Sequence, residues 1–451
     1  MPANSPAIPP GFAGGMALGS WPPAEALPAA PRPIPADASQ LAHRLTVALL
    51  LFATVLQKVA VPGTGGSETA MPISLLLMPI LMLTGIGSGV MLVDGRRLAA
   101  YLVFMACSAV SFLLSESLRL SMTGWIFVAV MQACFVFRFA PGRFDFARTL
   151  RLLSNMAVGF SLIGVGQFCA QFVVGREIAF FMEHYLPPGM LMSGYNFMIP
   201  LVWDSPILKS NGVVFAEPSF FCQFLALGMI GELLRAARPW RLAVIGLGLV
   251  ASYSGTGLMT LAIFLPWYII DRRRYDLMLL GLIGLALLAT QADFLQLSAI
   301  TDRTAEFSNP NSSAFGRFFS IFMVLQDYIL TDLPTLLFGR GPGSVMEFFS
   351  QLHYGAFDPT WGKIFYEYGL LGFIAYFTFF TVSFMMARRE MRVPLAFTYL
   401  FLGGYLVNIS ILSLLLALVS LPALQRAAPG PGPGLGSGLG AGLGSGLRTR
   451  A

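Results

Sequence analysis

Apolar runs, most of them about 18 to 25 residues long, occupy most of this 451-residue chain. An α-helix needs about 20 apolar residues to cross roughly 30 Å of hydrocarbon. Charged residues make up only 11% of the chain, whereas soluble domains contain about 25%. The pattern predicts an all-α, polytopic membrane protein with about eleven or twelve transmembrane helices.

Two regions of the chain leave the number of helices open. Residues 241–254 and 257–270 are short, so they form either a hairpin of two helices or one long broken helix. The last span is long enough to split at Gly403 and Gly404 or near Asn408. The predicted spans are 42–61, 71–93, 98–115, 120–138, 152–174, 213–234, 241–254, 257–270, 277–292, 363–386 and 394–421.

Basic residues cluster in the short gaps between these spans, and cytoplasmic loops carry an excess of Lys and Arg. All of these gaps fall on one side if the first helix starts inside and 241–270 is a hairpin. That side is predicted to be cytoplasmic, which places two long segments, 175–212 and 293–362, in the periplasm. The net charge of +6 therefore follows from topology and does not indicate nucleic-acid binding. The gaps hold Arg96 and Arg97; Arg138, Arg143, Arg148 and Arg151; Arg235, Arg238 and Arg241; Arg272, Arg273 and Arg274; and Arg388, Arg389 and Arg392.

A transmembrane domain over 41–424 is predicted between two disordered extensions. Residues 1–40 are rich in Pro, Ala and Gly and are expected to be cytoplasmic, and 425–451 form a Gly- and Pro-rich tail. The four cysteines lie in apolar runs, so they are predicted to be small buried apolar residues and not disulfides or a thiolate metal site. Lys58, near the end of the first span, is expected to extend to the interface.

Apolar residues recur at helical spacing within 313–331 of the second long segment. This spacing predicts a short helix that lies on the membrane surface or caps the bundle. The alternative is a packed surface helix without a chemical role.

Short motifs follow one another along this segment. Arg303 comes first, Arg317 opens the predicted short helix, a Gly-x-Gly turn occupies 339–341, and a Glu-x-Gly-Leu-Leu-Gly stretch begins at Glu367. Their order and spacing resemble the O-antigen ligase and O-antigen polymerase superfamily of bacterial membrane glycosyltransferases. The resemblance covers roughly residues 200–375, and the earlier helices match only in hydropathy.

The resemblance implies a GT-C-like fold in the bacterial inner membrane. It also implies transfer of sugar from an undecaprenyl diphosphate carrier on the periplasmic side, without a metal. The departing diphosphate develops negative charge, which cationic side chains must then stabilise, and arginine does so through paired hydrogen bonds. Arg303 and Arg317 are the candidates, Arg340 is a third, and Lys209 occupies a place where the family often has arginine. The alternative for each arginine is an interfacial side chain that reaches lipid phosphate.

The acceptor hydroxyl needs a base or a hydrogen-bond acceptor. Where the ligases have a His-Asn pair before the Glu-x-Gly stretch, this chain has Asp358 and Pro359. Asp358, or His353 five residues upstream, is therefore the candidate base. The alternative is that Asp358 caps the next helix with Pro359 at its first position. The departure weighs against a ligase.

Two carboxylates and two aromatic residues complete the candidate site. Glu217 lies just inside the sixth span and Glu367 lies in the tenth, and intramembrane carboxylates usually face a cavity or a partner. Both are predicted to orient or pair with the cations, and for Glu217 the alternative is a salt bridge to a loop arginine. Tyr354 and Trp361 are predicted to stack on sugar.

These inferences favour a polymerase that joins undecaprenyl-diphosphate-linked oligosaccharide repeat units of an exopolysaccharide, capsule or O-antigen. The first alternative is a ligase that transfers finished glycan to a lipid or protein. The second is a transporter or flippase of lipid-linked sugar, against which the few mid-span charges argue. The expected partners are the lipid-linked oligosaccharide, membrane lipid, a chain-length regulator and a repeat-unit flippase, with no cofactor, metal or nucleic acid.

Overall fold

The part of the chain that the structure describes is mostly helical, with 71% of its residues in helices and few in strands. The computed structural model describes residues 36–66, 70–115, 120–202, 205–290, 313–345, 358–385 and 387–419. Two short strands, β1 (Met91–Val93) and β2 (Phe137–Phe139), pair antiparallel. The helices are α1 (Ala36–Phe52), α2 (Ile73–Gly87), α3 (Gly95–Leu114), α4 (Met122–Ala133), α5 (Phe146–Val173), α6 (Arg176–Ala179), α7 (Phe181–Tyr185), α8 (Pro218–Arg235), α9 (Pro239–Ser252), α10 (Gly255–Arg272), α11 (Tyr275–Thr290), α12 (Ser313–Phe318), α13 (Ser320–Tyr328), α14 (Leu333–Phe338), α15 (Thr360–Phe384), α16 (Arg389–Phe401) and α17 (Ile409–Val419).

Side chains at the helix starts explain several of these bounds. Asp94, Ser121 and Asp145 each accept a hydrogen bond from a backbone N–H two or three residues on, which satisfies donors that the first turn of a helix leaves open. Pro218 and Pro239 stand at the start of α8 and α9, where a missing N–H costs nothing. Local sequence therefore fixes where α3, α4, α5, α8 and α9 begin.

Three of the described helices, α3, α5 and α15, are long and apolar enough to cross a membrane. Six shorter apolar helices accompany them. Large apolar side chains such as Leu83, Leu102 and Leu113 point outward and are more than half exposed. Outward-facing apolar side chains on apolar helices suit a lipid environment.

The region 241–270 forms two helices and not one broken helix. Arg241, in the first turn of α9, lies 3.2 Å from Glu232 at the end of α8. Tyr268, near the end of α10, donates a hydrogen bond of 2.8 Å to the carbonyl of Leu233 at the same end of α8. Gly257 at the start of α10 packs against the opposite end of α8. Helices α9 and α10 are thus antiparallel to each other and both pack along α8. The hairpin alternative is confirmed.

The last predicted span splits as well. Helix α16 ends at Phe401 and α17 begins at Ile409, and residues 402–408 between them are not helical. Both sequence positions considered for the split, the Gly403 and Gly404 pair and Asn408, fall in this break. Every residue of α17 is buried, and α17 packs mainly on α1.

The basic gaps meet at one end of the helical bundle. The fully buried Arg97 donates to the carbonyls of Phe135 and Phe137, which fastens the start of α3 to the segment that follows α4. Three contacts join these gaps or the helix ends beside them. Arg97 Nη2 donates to the carbonyl of Ser383 at the end of α15 (3.2 Å), Arg388 lies 5.0 Å from the Phe146 ring centroid, and Arg272 Nη2 donates to Glu390 Oε1 (3.4 Å). Neighbouring helices alternate in direction from this end, so the described parts of the two long segments lie at the other end.

Candidate active site

An ion cluster of Asp358, Lys363 and Glu367 lies at the start of α15. Lys363 Nζ is 2.9 Å from Asp358 Oδ2 and 3.6 Å from Glu367 Oε1. The Asp358 side chain is 23% exposed, whereas that of Glu367 is 2% exposed. The cluster joins two predicted site residues through a lysine to which the sequence had assigned no role, and it holds one carboxylate more than it holds cations.

The alternative interpretation of Asp358 as a helix cap is wrong. Pro359 occupies the cap position of α15, and no side chain makes a capping hydrogen bond there. The Asp358 carboxylate is instead committed to Lys363 and keeps part of its surface exposed. A carboxylate that is both anchored and accessible is suited to accept a proton or a hydrogen bond from a ligand.

A glycine-rich turn holds Glu367 in place. The Gly343 N–H donates to Glu367 Oε1 (2.9 Å), and the Gly341 N–H and Ser111 Oγ donate to the Glu367 carbonyl (2.8 and 2.7 Å). That carbonyl is free to accept them because Gly369, with φ of +63°, interrupts the helical hydrogen bonding of α15. The Gly-x-Gly turn and the Glu-x-Gly stretch are therefore one structural unit.

Arg340, between Gly339 and Gly341, connects the glycine turn to its surroundings. Its carbonyl accepts a hydrogen bond from Ser115 Oγ, and its Nε donates to the carbonyl of Tyr328 at the end of α13 (3.0 Å). Nearby, Asp332 accepts a hydrogen bond from the Thr335 N–H (2.8 Å) at the start of α14. This bond, with a smaller contribution from the Arg340 charge, holds the pKa of Asp332 below its usual value. Arg340 is thus partly engaged in holding α13 and α14 on α15.

The short helix predicted within 313–331 is present as α12 and α13. Ile321 and Val324 of α13 are fully buried, in the same apolar cluster as the first turns of α15. The half-buried Trp361 ring lies 5.4 Å from the Phe322 ring and 6.3 Å from the Phe401 ring. Trp361 therefore stands between α13 and α16, beside the ion cluster.

The first long segment carries Lys209 and Glu217. Lys209 is buried, and its backbone N–H bonds to the Ile199 carbonyl (2.9 Å). Glu217 directly precedes α8 and accepts hydrogen bonds from the Asn196 N–H (3.3 Å) and Ser219 Oγ (2.8 Å). No arginine that the structure describes forms an ion pair with Glu217, so the alternative of a salt bridge to a loop arginine is not seen among these residues.

Sequence reasoning missed a second buried ion pair. Lys58 does not reach the interface as expected. It is fully buried, and its ammonium group donates to the Glu183 carboxylate and to the Val213 carbonyl. The expectation failed because α1 ends at Phe52, and the turns after it bring Lys58 beneath the first long segment. Glu183, an isolated acid in an apolar stretch, was the available signal for a partner.

Polar side chains surround this pair. Asn211 Nδ2 donates to Glu183 Oε1 (2.7 Å), Gln167 Nε2 donates to Asn211 Oδ1 (3.0 Å), and Ser210 Oγ donates to Gln167 Oε1 (2.8 Å). Val213 has a φ of +67°, an uncommon and strained value for a β-branched residue. In this conformation the Val213 carbonyl accepts a hydrogen bond from Lys58, so the network holds the backbone that follows Lys209.

The structure does not describe the side chains of four predicted site residues. Arg303, His353 and Tyr354 lie outside the described residues. Arg317 lies in α12, where the backbone alone is described. Their proposed roles stay predictions.

Among the described residues, no group of His, Cys, Asp and Glu side chains is arranged to hold a metal ion. An open cavity of about 480 Å³ lies at the basic end, lined by Asp94, Gly95, Arg96 and Arg138. This cavity is at the opposite end of α3 and α15 from the ion cluster. The ion cluster is the stronger candidate site because Lys363 contacts two predicted site residues there, Asp358 and Glu367.

Neither the protein-family models nor the curated proteins compared with this chain contain a match to it.

Proposed function

We propose that the chain is a multispan bacterial inner-membrane polymerase that joins undecaprenyl-diphosphate-linked oligosaccharide repeat units. In this proposal about eleven or twelve helices cross the membrane, counting the short apolar helices as spans. The basic end faces the cytoplasm, following the excess of Lys and Arg that cytoplasmic loops carry. The long segments 175–212 and 293–362 lie in the periplasm, where the reaction takes place without a metal.

The observation that carries the proposal is the anchored cluster of Asp358, Lys363 and Glu367. The motif elements that resemble the glycosyltransferase superfamily, the glycine turn and the stretch from Glu367, contact each other directly. Asp358 lies at the edge of this unit with its carboxylate partly exposed. Motifs separated by some thirty residues and joined by hydrogen bonds are what a shared site requires.

Glycosyl transfer assigns Asp358 a definite step. The oxygen of an acceptor sugar hydroxyl bonds to the anomeric carbon of the donor, the bond from that carbon to the phosphate oxygen breaks, and undecaprenyl diphosphate departs with the bonding electrons. Asp358 accepts the hydroxyl proton as the bond forms. Lys363 and Glu367 orient the carboxylate, and His353 is the alternative base.

The departing diphosphate needs cations. The described cluster has an excess of carboxylate, so it does not favour a diphosphate. We assign that role to Arg303 and Arg317, with support from Lys209 and Arg340.

Glycan analysis of a deletion strain tests the proposal. Loss of a polymerase leaves single repeat units on the carrier or the cell surface, and restoration by the wild-type gene but not by Asp358→Asn supports the assigned base. Full-length chains that accumulate on the carrier lipid would instead indicate a ligase. Repeat units confined to the cytoplasmic leaflet would indicate a flippase, and unchanged glycan would exclude all three roles.

A further inference from the structure

The open cavity at the basic end differs from the ion cluster in both space and charge. It has a volume of about 480 Å³ and is lined by Asp94, Gly95, Arg96 and Arg138. The first three residues stand at the start of α3, and Arg138 belongs to β2. Since sites for small molecules typically measure about 300–1,000 Å³, the cavity is large enough to hold a ligand group.

The two-stranded sheet brings Arg138 to Asp94. Arg138 of β2 pairs with Leu92 of β1, and a hydrogen bond from the Asp94 N–H to the Val136 carbonyl (3.0 Å) continues the ladder. Because side chains alternate between the two faces of a sheet, Asp94 and Arg138 lie on the same face. Arg138 Nε is 3.1 Å from Asp94 Oδ2. The backbone pairing therefore fixes this guanidinium group at the wall of the cavity.

The Asp94 carboxylate is already engaged with the protein. Its Oδ1 accepts hydrogen bonds from the Arg96 and Arg97 N–H groups (3.1 and 3.2 Å), and its Oδ2 lies beside Arg138. The Asp94 side chain is 8% exposed, whereas that of Arg138 is 29% exposed and Arg96 is exposed as a whole. Since Asp94 caps the start of α3, the accessible charge on the cavity wall is that of the two guanidinium groups.

Both guanidinium groups keep hydrogen-bond donors for a ligand. Arg96 forms no ion pair with any residue that the structure describes. Arg138 Nε is buried and close to Asp94, yet no acceptor within the described ranges is aligned with it for a hydrogen bond. A guanidinium group carries five donors in a fixed plane, and phosphate oxygens match that geometry in pairs.

The charge balance at the cavity favours an anion. Arg97, the neighbour of Arg96, adds a third positive charge, so three arginines surround the single carboxylate of Asp94. This is the reverse of the ion cluster at the start of α15, where carboxylates are in excess. An anion that enters the cavity therefore gains both charge balance and charge-assisted hydrogen bonds.

Exposed apolar side chains adjoin the charged wall. Leu92, opposite Arg138 in the sheet, and Val93, next to Asp94, are 42% and 52% exposed. Leu98, in the first turns of α3, is exposed as well. A free phosphate ion gains nothing from apolar surface, whereas a phospholipid presents an anionic headgroup and apolar chains together. The combination of a cationic cavity with an apolar edge thus fits a lipid better than a free anion.

We propose that this cavity, which we call the arginine cavity (Asp94, Gly95, Arg96 and Arg138), binds the phosphate headgroup of an anionic membrane phospholipid. The bound phosphate accepts hydrogen bonds from Arg96 and Arg138 and balances the excess of positive charge at the start of α3. The assignment does not rest on glycosyl transfer, because the ion cluster lies at the other end of α3 and α15.

Lipid retention by the purified full-length chain tests this assignment. The chain is released from nanodiscs of mixed phosphatidylglycerol and phosphatidylcholine, and native mass spectrometry measures how much of each lipid stays bound. The wild type is expected to retain phosphatidylglycerol in preference to phosphatidylcholine, whose ammonium group cancels the phosphate charge. Arg96→Gln removes one cation without breaking a described ion pair. It is expected to weaken retention by about tenfold or more, the value of a hydrogen bond to a charged group.

Gly95 offers a variant that separates lipid binding from folding. A Cβ atom there meets nothing within 4 Å, and acidic residues are favoured in the first turn of a helix, so Gly95→Glu should fold normally. Its carboxylate repels phosphate and competes for Arg96 and Arg138, so retention of phosphatidylglycerol should be lost. Gly95→Ala, which adds only the Cβ atom, is the matched control and should retain the lipid. Arg151→Gln, which removes an exposed arginine that does not line the cavity, should retain it as well.

Each outcome decides the assignment. Wild-type retention in folded Arg96→Gln and Gly95→Glu proteins, or a wild type without preference for phosphatidylglycerol, overturns it. An equal loss in Arg151→Gln also overturns it, because the attraction would then come from the basic end as a whole. Displacement of phosphatidylglycerol by inorganic phosphate would assign the cavity to a free anion instead. A loss confined to Arg96→Gln and Gly95→Glu supports the arginine cavity, whether or not the chain forms glycosidic bonds.

Discussion

Gly339 and Gly369 approach so closely that neither position has room for a side chain. A Cβ atom at Gly339 would lie 2.5 Å from the Gly369 nitrogen, and one at Gly369 would lie 2.5 Å from the Leu337 carbonyl oxygen and still closer to Gly339. Both glycines have positive φ, +74° and +63°. The turn after α14 therefore fits into the interruption of α15, and this fit places Glu367 under the Gly343 N–H.

Replacing Gly369 with alanine should break this fit. The positive φ alone costs about 1–2 kcal/mol for a residue with a Cβ atom, and the contact with Leu337 and Gly339 adds to it. We expect a lower apparent unfolding temperature and loss of polymer for Gly369→Ala, measured by thermal size-exclusion assay and glycan analysis. Gly246→Ala, in the open part of α9, should change neither. Equal stability of the two variants would contradict the packing described.

The Lys58–Glu183 pair predicts strongly coupled mutations. Removing one partner of a buried ion pair leaves an unpaired buried charge and costs about 3–5 kcal/mol, whereas an apolar replacement of both is often neutral. We expect Lys58→Met to lower the unfolding temperature sharply and Lys58→Met/Glu183→Leu to regain most of the loss. The exposed pair of Arg274 and Asp276 provides the control, since Arg274→Ala should leave the unfolding temperature almost unchanged. Additive effects at Lys58 and Glu183 would show that the two side chains do not interact.

The arginine assignment predicts a separation of activity from folding. Arg317→Ala should abolish polymer, because it removes charge stabilisation from the departing diphosphate, while the protein stays in the membrane at its normal level. Arg317→Lys should retain part of the activity, since lysine still supplies the charge without the paired hydrogen bonds. Immunoblots of membranes and gel analysis of polymer length measure both. Polymer of normal length from Arg317→Ala would remove this residue from the site.

The topology predicts which side of the membrane each end of the bundle faces. On a background with the four cysteines replaced by alanine, Glu177→Cys and Asp332→Cys should react with a membrane-impermeant thiol reagent in intact cells. Asp276→Cys should react only after the inner membrane is opened. All three positions are exposed, so access to the reagent depends on the side of the membrane alone. Labelling of Asp276→Cys in intact cells would invert the orientation.

Hydropathy predicted the approximate positions of the long apolar helices, but it did not predict which side chains contact each other. Run length and glycine content offered the hairpin at 241–270 and the split near Gly403 as alternatives, and both are present. In contrast, Gly339 and Gly369 are thirty residues apart in the sequence, and no local sequence pattern predicts that they contact each other. Lys58 was missed for the same reason, because Glu183 lies 125 residues further along the chain.

The non-helical segment between α16 and α17 shows a further limit of the sequence. Gly404 and Asn408 were considered only as positions where a helix could end, because glycine and asparagine commonly end helices. Their relation to Asp358 and Tyr195 depends on how α15, α16 and the first long segment pack together. These contacts are visible only once those elements are assembled.

Reaction of the purified chain with undecaprenyl-diphosphate-linked repeat units tests the central claim most directly. Mass spectrometry of the glycan should detect products with two or more repeat units and an equivalent release of undecaprenyl diphosphate, without added metal. Asp358→Asn, folded and incorporated into nanodiscs like the wild type, should form at most a trace of these products. The account is contradicted if the wild type leaves the repeat units unjoined, or if Asp358→Asn joins them at the wild-type rate.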